Sequence, residues 1–571
     1  MLGLAGVAVA GALALTACTA PDVFVHSPRP NSPTASASAS VNPETDPAKL
    51  QLPLTTLPGW TAPVALGGGQ FARPFEPNGK VTWQLFGGDN QPIANYTPAG
   101  PVAFGDPSTY TKIPGVLTFR GNHARTAPAY GTADIREKKL EIAWTHETGD
   151  VQAEGSYWAG AGWTGQPLMV NWPKATKEAM GLDPAQIADD SFVEVIYPVV
   201  DGKVYRMNLA DGKDTKAPID TGFAFKGTGS IDPRGYPLLY AGMGLDQNGD
   251  NKGEWRYRIF DLIQNKEVNG WSGADPVSMR QPAWGAFDSS ALVNAASDTL
   301  MEPGENGLIY KVELNAEFDA AAKTVSVKPE FTKLRYDTGD PNARRGIEGS
   351  AAAYRNLMYA PDNDGNIICW DATTMQVVWV FPTGDDTDAT IVLENTPDGP
   401  FIYTGNEFDK RGEAGAKSGP VTFRKIDALS GKEVWKWEIT AQYDVVNGGL
   451  MATPALGFGE VSDLIFVTMA RTASAKQGDL VALDKKTGKV VWQRTMGAFS
   501  WSSPVLIRGS DGHVYGIQGD SSGLLHLFDP NTGEDYATLQ LEKNIEATPA
   551  VYGNMLVVGT YAKKLYGIRI S

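Results

Sequence analysis

The chain has 571 residues, 42% of them apolar and 10% aromatic, enough to bury a large core. Its 65 Asp and Glu against 49 Lys and Arg leave a formal charge of −16, and no local basic run stands out. That balance argues against a nucleic-acid partner, which calls for a basic footprint, while 63 Gly and 38 Pro suit a turn-rich all-β protein.

In chain order, residues 1–18 are small and apolar and end in Leu15-Thr16-Ala17-Cys18. This resembles the lipobox of bacterial lipoproteins, which implies a signal peptide, lipidation of Cys18 and export. The expected address is the outer face of the cell membrane, or the outer membrane where the organism has one. Residues 19–50 hold Pro28, Pro30, Pro33 and the run Ala35 to Ser40 without apolar periodicity, so they read as a tether. Residues 51–135 lack the repeat and read as an N-terminal annex, with strands predicted at Trp83–Phe86 and Val116–Phe119, expected either to wrap the side of the main body or to form a small unit of its own.

From residue 136 to 571 the chain repeats one phrase: an apolar strand, Asp, a Gly turn, and a strand ending in Trp. It is clearest at Ile426-Asp427-Ala428-Leu429-Ser430-Gly431-Lys432-Glu433-Val434-Trp435 and at Leu483-Asp484 through Gly488 to Trp492. Looser copies start at Asn208, Asp371 and Asp529. Asp opens a tight turn through its side chain and Gly accepts positive φ, so each copy is a β-hairpin. Strand openings, several with a small-Pro start as at Ala452-Thr453-Pro454, Ser502-Ser503-Pro504 and Ala547-Thr548-Pro549, recur near Gln166, Ile231, Ser289, Gly349, Ala389, Ala452, Ser502 and Ala547. That spacing predicts an all-β, eight-bladed β-propeller of four-stranded blades. The last unit lacks its fourth strand, and Leu140–Thr148, an orphan carrying Trp144, is expected to supply it and close the ring.

The Asp-x-x-x-Gly-Lys-x-x-Trp phrase, with Phe119-Arg120-Gly121-Asn122 ahead of it, is similar to the quinoprotein-like propellers. The resemblance implies a pyrroloquinoline quinone (PQQ) type of repeat. That family includes quinone-dependent dehydrogenases and non-catalytic members, among them the lipid-anchored propeller of the outer-membrane barrel assembly machinery. Fold alone does not choose between them.

Catalytic motifs are few. His26, His123, His146, His513 and His526 show no metal-ligand spacing, and no nucleophile elbow or phosphate loop occurs. Asp246–Glu254 begins like a calcium loop but has Asn251 in place of Gly and Tyr257 in place of the bidentate Glu. Cys369, the cysteine besides Cys18, sits on an apolar strand and reads as a buried small hydrophobe. The alcohol dehydrogenases of the resembled family stack quinone on adjacent cysteines, which this chain lacks. Trp144, Trp379, Trp435 and Trp492 are expected to dock against neighbouring blades.

The loops that lead into the innermost strands share one face, and place Trp163, Asp288, Arg345, Glu348, Trp501 and Glu546 around a funnel mouth. The sequence therefore points to a non-catalytic binding or assembly scaffold at the envelope. Its expected partners are envelope proteins or an unidentified small ligand, without a cofactor. The alternatives are a sugar or alcohol dehydrogenase using pyrroloquinoline quinone with calcium, or a ligand sensor stacking on Trp163 and Trp501.

Overall fold

The computed structural model describes residues 23–26, 44–161, 165–281 and 283–571. These form an all-β propeller. Innermost strands begin at Leu168, Ser230, Leu292, Ala352, Val392, Ala455, Val505 and Ala550, each within three residues of a predicted opening. Seven blades, not the expected eight, draw four antiparallel strands from one contiguous stretch: 168–220, 230–272, 292–337, 352–382, 392–442, 455–495 and 505–540. We number these blades 1 to 7. What remains is a composite sheet. Ala550–Tyr552, Met555–Thr560 and Lys564–Ile570 are completed by Leu140–Glu147, with Gly567 opposite Trp144, so the two ends of the propeller share one closing sheet.

Burial follows from position in the ring. The second and third strands of blade 4, Leu357–Pro361 and Asn366–Asp371, are buried throughout. The outermost strand of blade 5, Glu433–Gln442, alternates with one face toward solvent, as a strand covered on one side must.

The repeated phrase works between blades. A Cβ added to Gly212, Gly431, Gly488 or Gly533 would come within 2.6–2.7 Å of the indole of Trp144, Trp379, Trp435 or Trp492 on the preceding sheet. Each indole Nε1 also donates to the carbonyl that follows the turn's Asp or Asn: Leu209 at 2.8 Å, Ala428 at 3.2 Å, Lys485 at 3.0 Å and Pro530 at 3.0 Å. Glycine is needed twice over, for its positive φ and for the ring lying on it.

Two parts of the N-terminal region differ in placement. Strands Val64–Gly67, Gln70–Phe75 and Gly79–Gly87 extend blade 3 outward, with Trp83 opposite Tyr336. Residues 115–130 instead run through the ring's axis. Gly115–Val116 pairs with Met169–Val170 of blade 1, and Ile231 of blade 2 donates its N–H to Leu117 at 2.7 Å. Arg125 donates to the carbonyls of Ser290 (2.7 Å) and Ala351 (2.8 Å), and Arg120 to that of Pro504 at 3.0 Å. Both arginines are buried, and desolvation lowers their pKa, to about 9 for Arg120 and about 10 for Arg125. Backbone carbonyls from blades 3, 4 and 7 thus end on two guanidinium groups, an axial plug where a side wrap was expected.

Candidate functional site

The loops leading into the innermost strands open above this plug. Its Thr118 hydroxyl meets Ser230 Oγ at 3.0 Å and Ser290 Oγ at 2.9 Å, which closes the floor of the funnel beneath blades 2 and 3. Two residues before Ser290 stands Asp288, and one oxygen from each of the Asp288, Glu305 and Glu348 carboxylates lies within 4.8 Å of the others. Glu305 reaches this point from the hairpin between the second and third strands of blade 3, and Trp284 Nε1 donates to its Oε2 at 2.7 Å. Lys226, from the loop into blade 2, places Nζ 2.5 Å from Asp288 Oδ2. Burial disfavours that ammonium, but Asp288, Glu305 and Glu348 together raise its pKa. Burial also lifts Asp288 to about 6 against the pull of Lys226, and burial with Glu348 raises Glu305 well above the carboxylate range.

A second group continues round the wall. Asp386 and Asp388 lie in the loop into blade 5, and Glu407 and Asp409 in the long loop between its second and third strands. Glu407 is fully buried and accepts from Asn447 Nδ2 at 2.5 Å and from the Asp388 N–H at 2.8 Å. Burial and mutual repulsion raise Asp386, Asp388 and Glu407 well above their usual range, and burial with Glu413 lifts Asp409 to about 7. Arg344 answers Asp409 at 3.6 Å and also pairs with Glu413.

Of the predicted mouth residues, the fold brings Asp288 and Glu348 together. Arg345, at φ 56°, turns to Asp337 (3.4 Å) and the Ala343 carbonyl (3.1 Å). Trp501 is 8% exposed and packs on Phe499, ring centroids 5.6 Å apart, with Met451 and Ala470, so most of its ring is not a free platform. Glu546 is buried beside Tyr561 and accepts from Asn544 at 2.8 Å; burial lifts its carboxyl to about 8. Arg471 stands between these last two, over the Phe499 ring at 4.5 Å and within electrostatic reach of Glu546. Trp163 and Cys18 lie outside the described residues. Sequence reasoning missed Lys226, Glu305, Asp386, Asp388 and Glu407. The two aspartates directly precede the Ala389 opening, and were legible by the rule that picked Asp288.

The other sequence candidates are structural. Asp246–Glu254 closes as a hairpin, Gln247–Asn248 against Asn251–Lys252, with Asp246 3.4 Å from Lys252. Cys369 is buried in blade 4, and burial pushes its thiol pKa up. His146 meets Asp214 at 2.9 Å, His513 meets Glu460 at 3.1 Å, and His526 meets Asp535 at 2.9 Å.

The trio can be tested as a calcium ligand set, the ion that accompanies quinone in the resembled dehydrogenases. Its carboxylates already hold the Lys226 ammonium. A divalent ion about 4 Å from that charge would meet roughly 8 kcal/mol of repulsion at an effective dielectric of about 20. The residues do not fit calcium beside this lysine, and adjacent cysteines for quinone stacking are absent from the sequence.

Comparisons with known proteins bear on the repeat. Residues 324–499, 417–520 and 476–571 match the family model described as outer membrane protein assembly factor BamB, so PQQ-like repeats occupy residues 324–571. The chain is 27% identical over 208 residues to a lanthanide-dependent methanol dehydrogenase of Methylacidiphilum fumariolicum, covering 36% of this chain and 28% of that protein. It is 33% identical over 148 residues to a 1-butanol dehydrogenase (quinone) of Thauera butanivorans, covering 23% and 20%. It therefore spans less than a third of the length of these curated relatives. The quinohemoprotein alcohol dehydrogenase of Comamonas testosteroni shares the fold, with 14% identity, a TM-score of 0.51 and 81% of each chain covered.

Proposed function

We propose that this chain is a lipid-anchored, extracytoplasmic propeller that acts as a non-catalytic binding or assembly scaffold at the cell envelope. The observation that carries this reading is the funnel itself. Its floor is the chain's own axial plug, and the cation at its carboxylate trio is the chain's own Lys226. A recess built this way offers an ordered, charged mouth to a partner or ligand. Among the described residues no helix is long and apolar enough to cross a membrane, and Cys18 is the proposed attachment point. Cys18→Ser should release the protein from the membrane fraction and abolish lipid labelling; a mutant as membrane-bound and as lipid-labelled as the parent removes the anchor.

The partial identity to two quinone dehydrogenases favours a second reading, an alcohol or sugar dehydrogenase. A thermal-melt series with pyrroloquinoline quinone and calcium separates the two. Ligand at a hundred times Kd adds about 2.7 kcal/mol of stability. The scaffold reading expects no shift and no dye-linked oxidation of alcohols or sugars; quinone-dependent turnover lost on Asp288→Asn gives the chain to the dehydrogenases.

A further inference from the structure

The charges in the funnel are unevenly answered. Toward blades 2 and 3, Lys226 contacts Asp288 and counters Glu305. Toward blades 4 and 5, the Asp388 carbonyl lies 3.1 Å from where a Cβ on Gly349, next to Glu348, would stand, and the Asp388 N–H donates to Glu407, so these carboxylates are neighbours; the nearby Arg344 is occupied by Asp409 and Glu413.

A separate observation concerns hydrogen bonds. Asn363, 3% exposed, donates its amide to Glu348 Oε1 at 2.9 Å, yet its own Oδ1 is buried without a donor. Glu305, 1% exposed, is by contrast supplied: it accepts from Trp284 and shares a hydrogen bond with Asp288. Buried acceptors are normally satisfied, and one left bare costs about 1–3 kcal/mol. The orphan acceptor belongs to the residue that bonds Glu348, on the side of the trio away from the Lys226–Asp288 contact. The missing component is positively charged and rich in donors.

One feature selects an organic cation over a metal ion: the trio is already matched to an ammonium. Ammonium and guanidinium groups form charge-assisted hydrogen bonds with carboxylates and with an amide oxygen alike. Asp388 is only partly buried, so the group is reachable from the mouth. We infer that the funnel receives an alkylammonium or guanidinium group between Glu348 and Asp388, presented by a basic ligand. This rests on the scaffold reading and names the chemistry its mouth selects.

The test is calorimetry on the full chain at pH 7.5 and low salt, with cadaverine, an extended lysine-containing peptide, its lysine-acetylated form, and calcium chloride as titrants. Saturable amine binding is expected, with the acetylated peptide silent. Asp388→Asn and Glu348→Gln should each weaken it at least about tenfold while melting no lower than the parent, because each removes like-charge repulsion. Cadaverine binding as tightly as the peptide identifies a free amine as the ligand; binding of the peptide alone identifies a basic segment of a partner protein. Absence of saturable heat from both, undiminished binding in both variants, or calcium displacing the amine overturns the inference. None of these depends on the dye-linked assay, whose positive result would remove the scaffold reading instead.

Discussion

The joins between blades 6 and 7 and between blades 1 and 2 close the same gap with different chemistry. In the first, Trp492 donates to the Pro530 carbonyl and lies on Gly533. In the second, the carbonyl in the corresponding place belongs to Leu262, after Asp261, and its donor is Arg206 Nη1 at 2.8 Å. Arg206 is fully buried and held by Glu194, Nε to Oε1 at 3.0 Å, with Trp172 donating to the same carboxylate at 2.7 Å. The turn position that is glycine under an indole is Asn265 here, at φ 55°, and its Oδ1 accepts from Arg206 at 3.1 Å. With no ring lying on the turn, a side chain fits. The conserved demand is for a donor aimed at one carbonyl; glycine is a demand of the indole alone.

Removing each donor's support measures the difference. Trp492→Ala should cost about 4–5 kcal/mol, since it empties a site with no exposure and orphans a carbonyl. Glu194→Gln should cost about 3 kcal/mol by leaving the Arg206 charge uncompensated, and Arg206→Met in that background should recover part of it, the remainder being the Leu262 carbonyl left without its donor. Chemical denaturation of the three variants checks both figures; a double mutant as unstable as Glu194→Gln would mean that the pair contributes more than mutual neutralisation. Gly533→Ala separates the two demands on glycine. It should cost about 2–3 kcal/mol in the parent, from left-handed strain plus collision with the ring, and about 1–2 kcal/mol in Trp492→Ala, where only the strain remains. Equal costs in the two backgrounds would show that the ring imposes nothing on the turn.

This contrast also explains what could be read in advance. The aromatic joins announce themselves, because Asp, Gly and Trp recur at fixed spacing and local turn chemistry requires them. The Arg206 join does not: Glu194, Arg206 and Leu262 share no phrase and meet only through the ring. The same division runs through the funnel. Asp288 and Glu348 were found because each precedes an innermost strand, but their coming together with Glu305 and Lys226 depends on how neighbouring blades lean on the axis. The plug was misplaced for a related reason. Arg120 and Arg125 are polar residues outside the repeat, and nothing in residues 115–130 reveals that their partners are carbonyls of several different blades. The closing strand was legible, because Leu140–Thr148 carries Trp144 outside any full repeat; the count of eight was not met, since only seven blades come from contiguous stretches.

The last expected effect distinguishes the two joins by pH. Beside the Trp492 clasp, Arg494 reaches across to blade 7, Nη1 donating to the Gly533 carbonyl at 3.0 Å and to Asp535 Oδ1 at 2.6 Å. His526 is buried in this network, facing Asp535 at 2.9 Å, Asp520 at 3.7 Å and Arg494 at 3.0 Å. Burial and Arg494 disfavour its charge, but hydrogen bonds to Asp520 and Asp535 outweigh them and raise its pKa from 6.5 to about 9. A histidine whose pKa is raised on folding contributes stability that is complete below about 6.5 and lost as pH climbs through about 9. The melting temperature should therefore fall between pH 7 and 9.5 by the equivalent of about 2 kcal/mol, after allowance for the coupled arginine. His526→Gln should remove its share of that decline, leaving the share due to buried carboxyls such as Glu546, while Glu194→Gln leaves both in place. If the decline persists unchanged in His526→Gln, the network is not held by a charged imidazole, and the join between blades 6 and 7 rests on the indole and Arg494 alone.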